Sequence, residues 1–90
     1  MISDTQLKIK SEILTNKLRV GLFDEVIMDA KTLLKKRKHQ FFYNILSIAY
    51  QNIGKFELSV KVMEEALLKN SANPYFLNNM GISQHKLENF

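Results

Sequence analysis

A short pattern recurs along this chain at a nearly fixed distance, and the recurrence limits the folds that the chain can adopt. Gly21 and Phe23, separated by one position, return as Gly54 and Phe56, and Phe56 returns in turn as Phe90. The apolar stripes on either side recur with them. A period of roughly 33–34 residues, with a glycine turn between two helical segments, indicates an array of helical hairpins. Such hairpins must stack, because none of them buries its apolar stripe alone.

Apolar residues at helical rather than alternating spacing predict an all-α fold with about five helices. Ser3 and Gln6 form a predicted capping box at the start of the first helix. Gly21 and Gly54 supply positions free to adopt positive φ after the first and third helices. Pro74 suits the first turn of the fifth helix. The second helix is expected from Phe23 to the cations 35–38, the third over about Gln40 to Ile53, and the fourth from Phe56.

Composition narrows the class of protein. With 90 residues, 46% hydrophobic and 24% charged, the chain is predicted to form one small folded domain. It has no cysteine, which excludes disulfides and thiolate zinc sites. No apolar run approaches the length of a membrane span, and the first residues carry no secretory leader, so we expect no membrane partner and a cytoplasmic location.

The second unit of the array resembles the tetratricopeptide repeat family. The residues that carry the resemblance in its first helix are Tyr43, Leu46, Ser47 and Tyr50. Those in its second helix are Ser59, Met63 and Ala66. The small residues, together with Gly81 in the next unit, are expected to let neighbouring helices approach closely, while the large ones fill the space between hairpins.

The resemblance implies a single array over residues 1–90 with the architecture of an α-solenoid. Residues 40–73 form a full repeat, 7–39 a degenerate repeat, and 74–90 the first helix of a third. The degenerate repeat has Lys10, Ile13, Leu14 and Lys17 at the pattern positions of its first helix, and its resemblance rests mainly on Val26, Ala30 and Leu33 in its second helix.

Proteins similar to this family bind peptides on the concave surface of the array, which the first helix of each unit lines. The peptide-binding candidates on this surface are Asn44, Ile48, Gln51, Asn52, Asn78, Asn79, Ile82 and His85. Amide side chains both donate and accept, so a row of them suits an extended backbone. Asn79 matches a place where the family often carries Asn, but Ile45 and Glu12 occupy that place in the earlier units and break the row. The expected function is a protein-binding scaffold.

Two alternatives remain open. Degenerate first repeats followed by Asn-Asn-Met-Gly at 78–81 are similar to bacterial arrays that precede glycosyltransferase or sulfotransferase domains, where this segment would present protein substrates. The second alternative is binding of nucleic acid or an acidic partner, because clustered cations attract both. The basic cluster consists of Lys35, Lys36, Arg37 and Lys38. Cations are common at a helix end, however, so a solvated helix end is the preferred interpretation and nucleic acid is not the expected partner.

No pattern in the chain indicates catalysis. The only histidines, His39 and His85, have no second ligand at the next helical turn, and the chain has no glycine-rich phosphate loop or nucleophile elbow. The acid pairs 24–25 and 64–65 are adjacent on helices, so each pair diverges. We expect no enzyme activity, metal or cofactor in this segment.

The fifth helix carries more apolar residues than one hairpin covers: Phe76, Leu77, Met80 and Leu87. Three hypotheses account for this surface. The chain is the first part of a longer array, it self-associates through an uncapped C-terminal edge, or the last helix is an imperfect cap.

Overall fold

The computed structural model of the chain describes residues 2–69 and 74–88, the side chains of 69 and 74–80 excepted. Within these ranges it contains five helices and no strand: α1 (Asp4–Arg19), α2 (Phe23–Lys36), α3 (Gln40–Asn52), α4 (Phe56–Lys69) and α5 (Pro74–Glu88). The all-α prediction is confirmed. Residues 70–73 and 89–90, which belong to the predicted repeats 40–73 and 74–90, lie outside the described residues.

Local hydrogen bonds explain where the helices begin. Ser3 Oγ accepts the amide N–H of Gln6 at 3.2 Å, and Gln6 Oε1 accepts the amide N–H of Ser3 at 3.0 Å. The predicted capping box is thus confirmed. α3 begins in another way, because His39 Nδ1 accepts the amide N–H of Phe41 at 3.1 Å and so acts as the N-cap.

The turns between α1 and α2 and between α3 and α4 close with the same hydrogen bonds. The amide of Leu22 donates to the carbonyl of Lys17 at 2.9 Å, and at the corresponding place in the next unit the amide of Lys55 donates to the carbonyl of Tyr50 at 2.9 Å. The glycine inside each turn has a positive φ, of 85° and 79° respectively. The recurrence in the sequence therefore corresponds to two hairpins with equivalent turns.

The helices form two layers. Each helix packs against the next one, and in addition α1 contacts α3 and α3 contacts α5. By contrast, no α-carbons of α2 and α4 lie within 8 Å of each other in the described residues. The odd-numbered helices are therefore drawn together while the even-numbered ones are spread apart. We call the layer of α1, α3 and α5 the inner layer.

The core lies between the layers and is centred on α3. Phe42, Tyr43 and Met63 are among its largest fully buried side chains. The predicted small residues Ser47, Ser59 and Ala66 are also fully buried. The prediction for Gly81 was wrong. This residue is exposed, and a methyl group on it would meet no atom within 4 Å, because no neighbouring helix of the described part reaches it.

Candidate functional site

Most of the predicted binding residues lie on one surface of the layer formed by α1, α3 and α5, on the side away from α2 and α4. We call it the inner face and define it by Thr15, Asn44, Ile48, Asn52, Ile82 and His85. Thr15, Ile48 and Ile82 occupy corresponding positions on α1, α3 and α5, each one period of the repeat after the last. Ile48 is half-buried and Ile82 is 44% exposed. The face thus has an apolar centre formed by α3 and α5.

Two of the predicted amides have partners inside the protein. Gln51 Nε2 donates to the hydroxyl of Ser83 at 2.9 Å, which links α3 to α5. Asn52 Nδ2 donates to the carbonyl of Ile48 at 2.8 Å, within its own helix. Gln51 therefore also has a structural role at the floor of the inner face, whereas Asn52 stays exposed.

The remaining predicted residues of this face differ in position. Asn44 is half-buried on α3, and His85 is exposed in the last turn of α5. Asn78 and Asn79 belong to α5, but their side chains lie outside what the structure describes. Ile45, which corresponds to Asn79 in the preceding unit, is only 3% exposed and is part of the core. The α3 position that matches Asn79 is therefore closed to a ligand.

A buried chain of hydroxyl groups lies beneath the inner face. Ser59 Oγ lies 2.6 Å from Ser47 Oγ and accepts a hydrogen bond from Ser83 Oγ at 2.8 Å. All three serines have no exposed surface. With Gln51 at its end, the chain connects α3, α4 and α5. Ser83 is not among the core residues predicted from the sequence. It lies one period after Ala49, which is buried, and this correspondence would have predicted its burial.

The structure divides the basic cluster. Arg37 forms an ion pair with Asp4 at 2.9 Å and donates to the carbonyl of Ile2 at 3.2 Å, so it fastens the N-terminus. Lys38 Nζ donates to the carbonyl of Leu34 at 3.3 Å. Lys35 and Lys36 are exposed in the last turn of α2. The four cations therefore have separate surroundings, and two of them hold the chain's own backbone.

His39 sits next to this cluster and has a perturbed titration. Burial lowers the pKa of its imidazole, the positive charge of Arg37 lowers it further, and Asp4 opposes the effect. The neutral ring is the form that accepts the amide N–H of Phe41. Burial and capping thus favour the same protonation state.

A cluster of ion pairs links α1 to α2 within the first hairpin. Lys17 Nζ pairs with Asp29 at 2.8 Å and with Glu25 at 3.5 Å. The hydrogen bond to Asp29 is the main reason that the pKa of Lys17 is raised. Tyr50 occupies the corresponding position in the next unit and is only 5% exposed. The first hairpin thus has the ion pair of Lys17 with Asp29 where the second has the buried Tyr50.

No protein-family model, curated protein or solved structure matches this chain. In the described ranges, no helix is long and apolar enough to cross a bilayer. No three His, Asp or Glu side chains of these ranges are grouped so that they could hold a metal ion.

Proposed function

We propose that this chain is a peptide-binding scaffold that holds an extended segment of another protein on the inner face. The observation that carries the proposal is the apolar row formed by the half-buried Ile48 and the exposed Ile82 on the layer of the odd-numbered helices. The resemblance of residues 40–73 to tetratricopeptide repeats supports the same surface.

The composition of the inner face suits a peptide better than a small molecule. Ile48 and Ile82 offer apolar contacts on neighbouring helices, and the exposed Asn52 stands beside them. The amide oxygen of Asn52 is an acceptor for a peptide N–H, even though its Nδ2 already donates to Ile48. Apolar contacts with a few polar groups that fix orientation are typical of recognition sites.

The buried serine chain supports the proposal through rigidity. It fixes α4 against α3 and against α5 with two hydroxyl contacts, at 2.6 and 2.8 Å. A binding surface whose helices are already held in place loses less conformational entropy when a ligand arrives.

The experiment is selection from a random peptide library, followed by affinity measurement on variants of the inner face. Ile82→Glu places a charge at the apolar row and is expected to weaken the selected peptides by about tenfold or more. Met28→Glu is the matched control, because Met28 is 69% exposed on α2, in the other layer.

A second variant tests the amides. The combined change of Asn44, Asn52 and Asn78 to Ala is also expected to abolish binding of the selected peptides. Equal binding by the Ile82 and Met28 variants would refute the proposal, and loss only on changing Met80 and Leu87 would indicate self-assembly instead.

A further inference from the structure

A groove lies between α1 and α2 in the first hairpin, and no residue of α3 lines it. We call it the edge groove. It encloses about 670 Å³, and its floor consists of Ile2, Leu14 and Leu33, none more than 7% exposed. Ile13 forms part of its wall and is 44% exposed. The edge groove is distinct from the inner face, because the residues around Thr15 line another side of α1.

The internal repeat shows what kind of element fits the edge groove. Lys10 and Lys17 line the groove, and in the next unit Tyr43 and Tyr50 occupy the corresponding positions on α3. These tyrosines are only 2% and 5% exposed. Tyr50 faces the first hairpin, because Nζ of Lys31 on α2 lies 5.9 Å from the centre of its ring. In the second hairpin, therefore, the surface that corresponds to the edge groove is covered by other helices.

The charges of the edge groove specify the chemistry of a helix that would cover it. Lys10, Lys17 and Lys36 line it together with a single acid, Asp29, so the lining has an excess of positive charge. Lys17 is already paired with Asp29, so the exposed Lys10 on α1 and Lys36 on α2 are the remaining cations, one on each side. An uncharged apolar helix would bury these ammonium groups at a cost, whereas carboxylates would pair with them.

From these observations we propose that the edge groove binds an amphipathic helix of a partner protein that carries acidic residues on both sides of its apolar stripe. The groove follows α1 from Gln6 to Lys17. Eleven steps at about 1.5 Å per residue make a seat of roughly 16 Å, about three helical turns. The apolar stripe would rest on the floor and Ile13, while the acids pair with Lys10 and Lys36.

The test uses a synthetic amphipathic peptide with leucines at helical spacing and glutamates on both flanks, and a counterpart with lysines in place of the glutamates. We expect the acidic peptide to bind the full chain, with an affinity that falls as salt is raised. The double change Lys10→Glu and Lys36→Glu is expected to weaken binding by about tenfold or more. Amide chemical shifts are expected to change near Ile13 and Leu33 and not near Ile82.

A matched control is available on the same two helices. Lys8→Glu with Lys35→Glu makes the same change in net charge, at exposed positions outside the groove. This variant is expected to bind like the wild type, and circular dichroism checks that both variants fold. Equal effects of the two double variants, equal binding of the two peptides, or no binding at all would overturn the proposal. A further outcome would overturn it. If light scattering showed that the protein alone is a dimer and that the K10E and K36E double variant is a monomer, the occupant of the groove would be a second copy of the chain.

Discussion

The hydroxyl oxygens of Ser47 and Ser59 lie 2.6 Å apart and join α3 to α4 at a point closed to solvent. Ser59 also accepts a hydrogen bond from Ser83 on α5, so it is the centre of a contact among three helices. Loss of Ser59 therefore removes one buried hydrogen-bond partner from Ser47 and one from Ser83, although Ser83 keeps the hydrogen bond from Gln51.

Ser59→Ala is expected to lower the free energy of unfolding by about 1–3 kcal/mol, because it leaves the hydroxyls of Ser47 and Ser83 without this partner. The double variant Ser47→Ala with Ser59→Ala should cost no more than the single one, since it also removes one of the stranded groups. Urea denaturation followed by circular dichroism measures both, with the exposed Thr5→Ala as control. A double variant that is clearly less stable than Ser59→Ala would contradict this explanation.

Glycine-to-alanine changes are expected to have opposite signs in the turns and in α5. Gly54→Ala forces a side chain into a φ of 79° and should destabilise the protein by about 1–2 kcal/mol, although the added methyl group meets no atom within 4 Å. Gly81→Ala lies inside a helix, also with open space around it, and should stabilise by up to about 1 kcal/mol. The midpoints of urea unfolding measure both changes, and a shift of the same sign in the two variants would contradict this explanation.

Tyr43→Phe is expected to leave the free energy of unfolding unchanged or to raise it by about 1 kcal/mol, because the substitution relieves a desolvation cost. The Tyr43 hydroxyl is buried and has no hydrogen-bond partner in the described part of the chain. Burial also raises the pKa of this phenol. Thermal unfolding is the measurement, and Tyr43→Leu is the comparison, since it removes ring volume from the core and should destabilise. A destabilised Phe variant would show that the hydroxyl is satisfied.

Stability is expected to fall as His39 becomes protonated. Its pKa is lowered in the folded state, so the unfolded chain binds the proton more readily. The stabilisation from the neutral ring is complete above the ordinary pKa of 6.5 and is lost as the pH falls from there towards the lower, folded-state value.

The comparison that isolates this effect is His39→Asn, because Asn is a good N-cap that does not titrate in this range. Unfolding free energies measured between about pH 5 and 8 should fall less on acidification in the Asn variant than in the wild type. Parallel curves would assign the pH dependence to other groups.

Signals that act over a few residues made the helices predictable from the sequence. The capping box, the two turn glycines and Pro74 each act on the chain within one helical turn. Accordingly, α3 was expected over about Gln40 to Ile53 and is found at Gln40–Asn52. The recurrence of glycine and phenylalanine was equally informative, since both turns close with the same hydrogen bonds.

Partnerships between distant side chains were not predictable, because they depend on how each helix is rotated against its neighbours. Periodicity gives no indication that Lys17 meets Asp29 or that Arg37 reaches Asp4. The first contact explains why a lysine, Lys17, stands where the next unit has Tyr50. The second gives a structural role to Arg37, which in the sequence was one of four clustered cations.

The candidate site shows the same limit. Residues could be assigned to one side of a helix by spacing, which places Ile48 and Ile82 on the inner face. Spacing did not reveal that Gln51 donates to Ser83 or that Ile45 belongs to the core. The hydrogen bond from Gln51 follows from the close approach of α5 to α3.

The pattern of contacts between helices also has a consequence for how the protein opens. In the described residues, no α-carbon of α1 or α2 lies within 8 Å of one in α5, so α5 does not pack closely against the first hairpin. Fraying of α5 would leave the packing of the first hairpin intact. Amide hydrogen exchange should therefore be slowest in α3, which every other helix contacts, and should become faster towards each end.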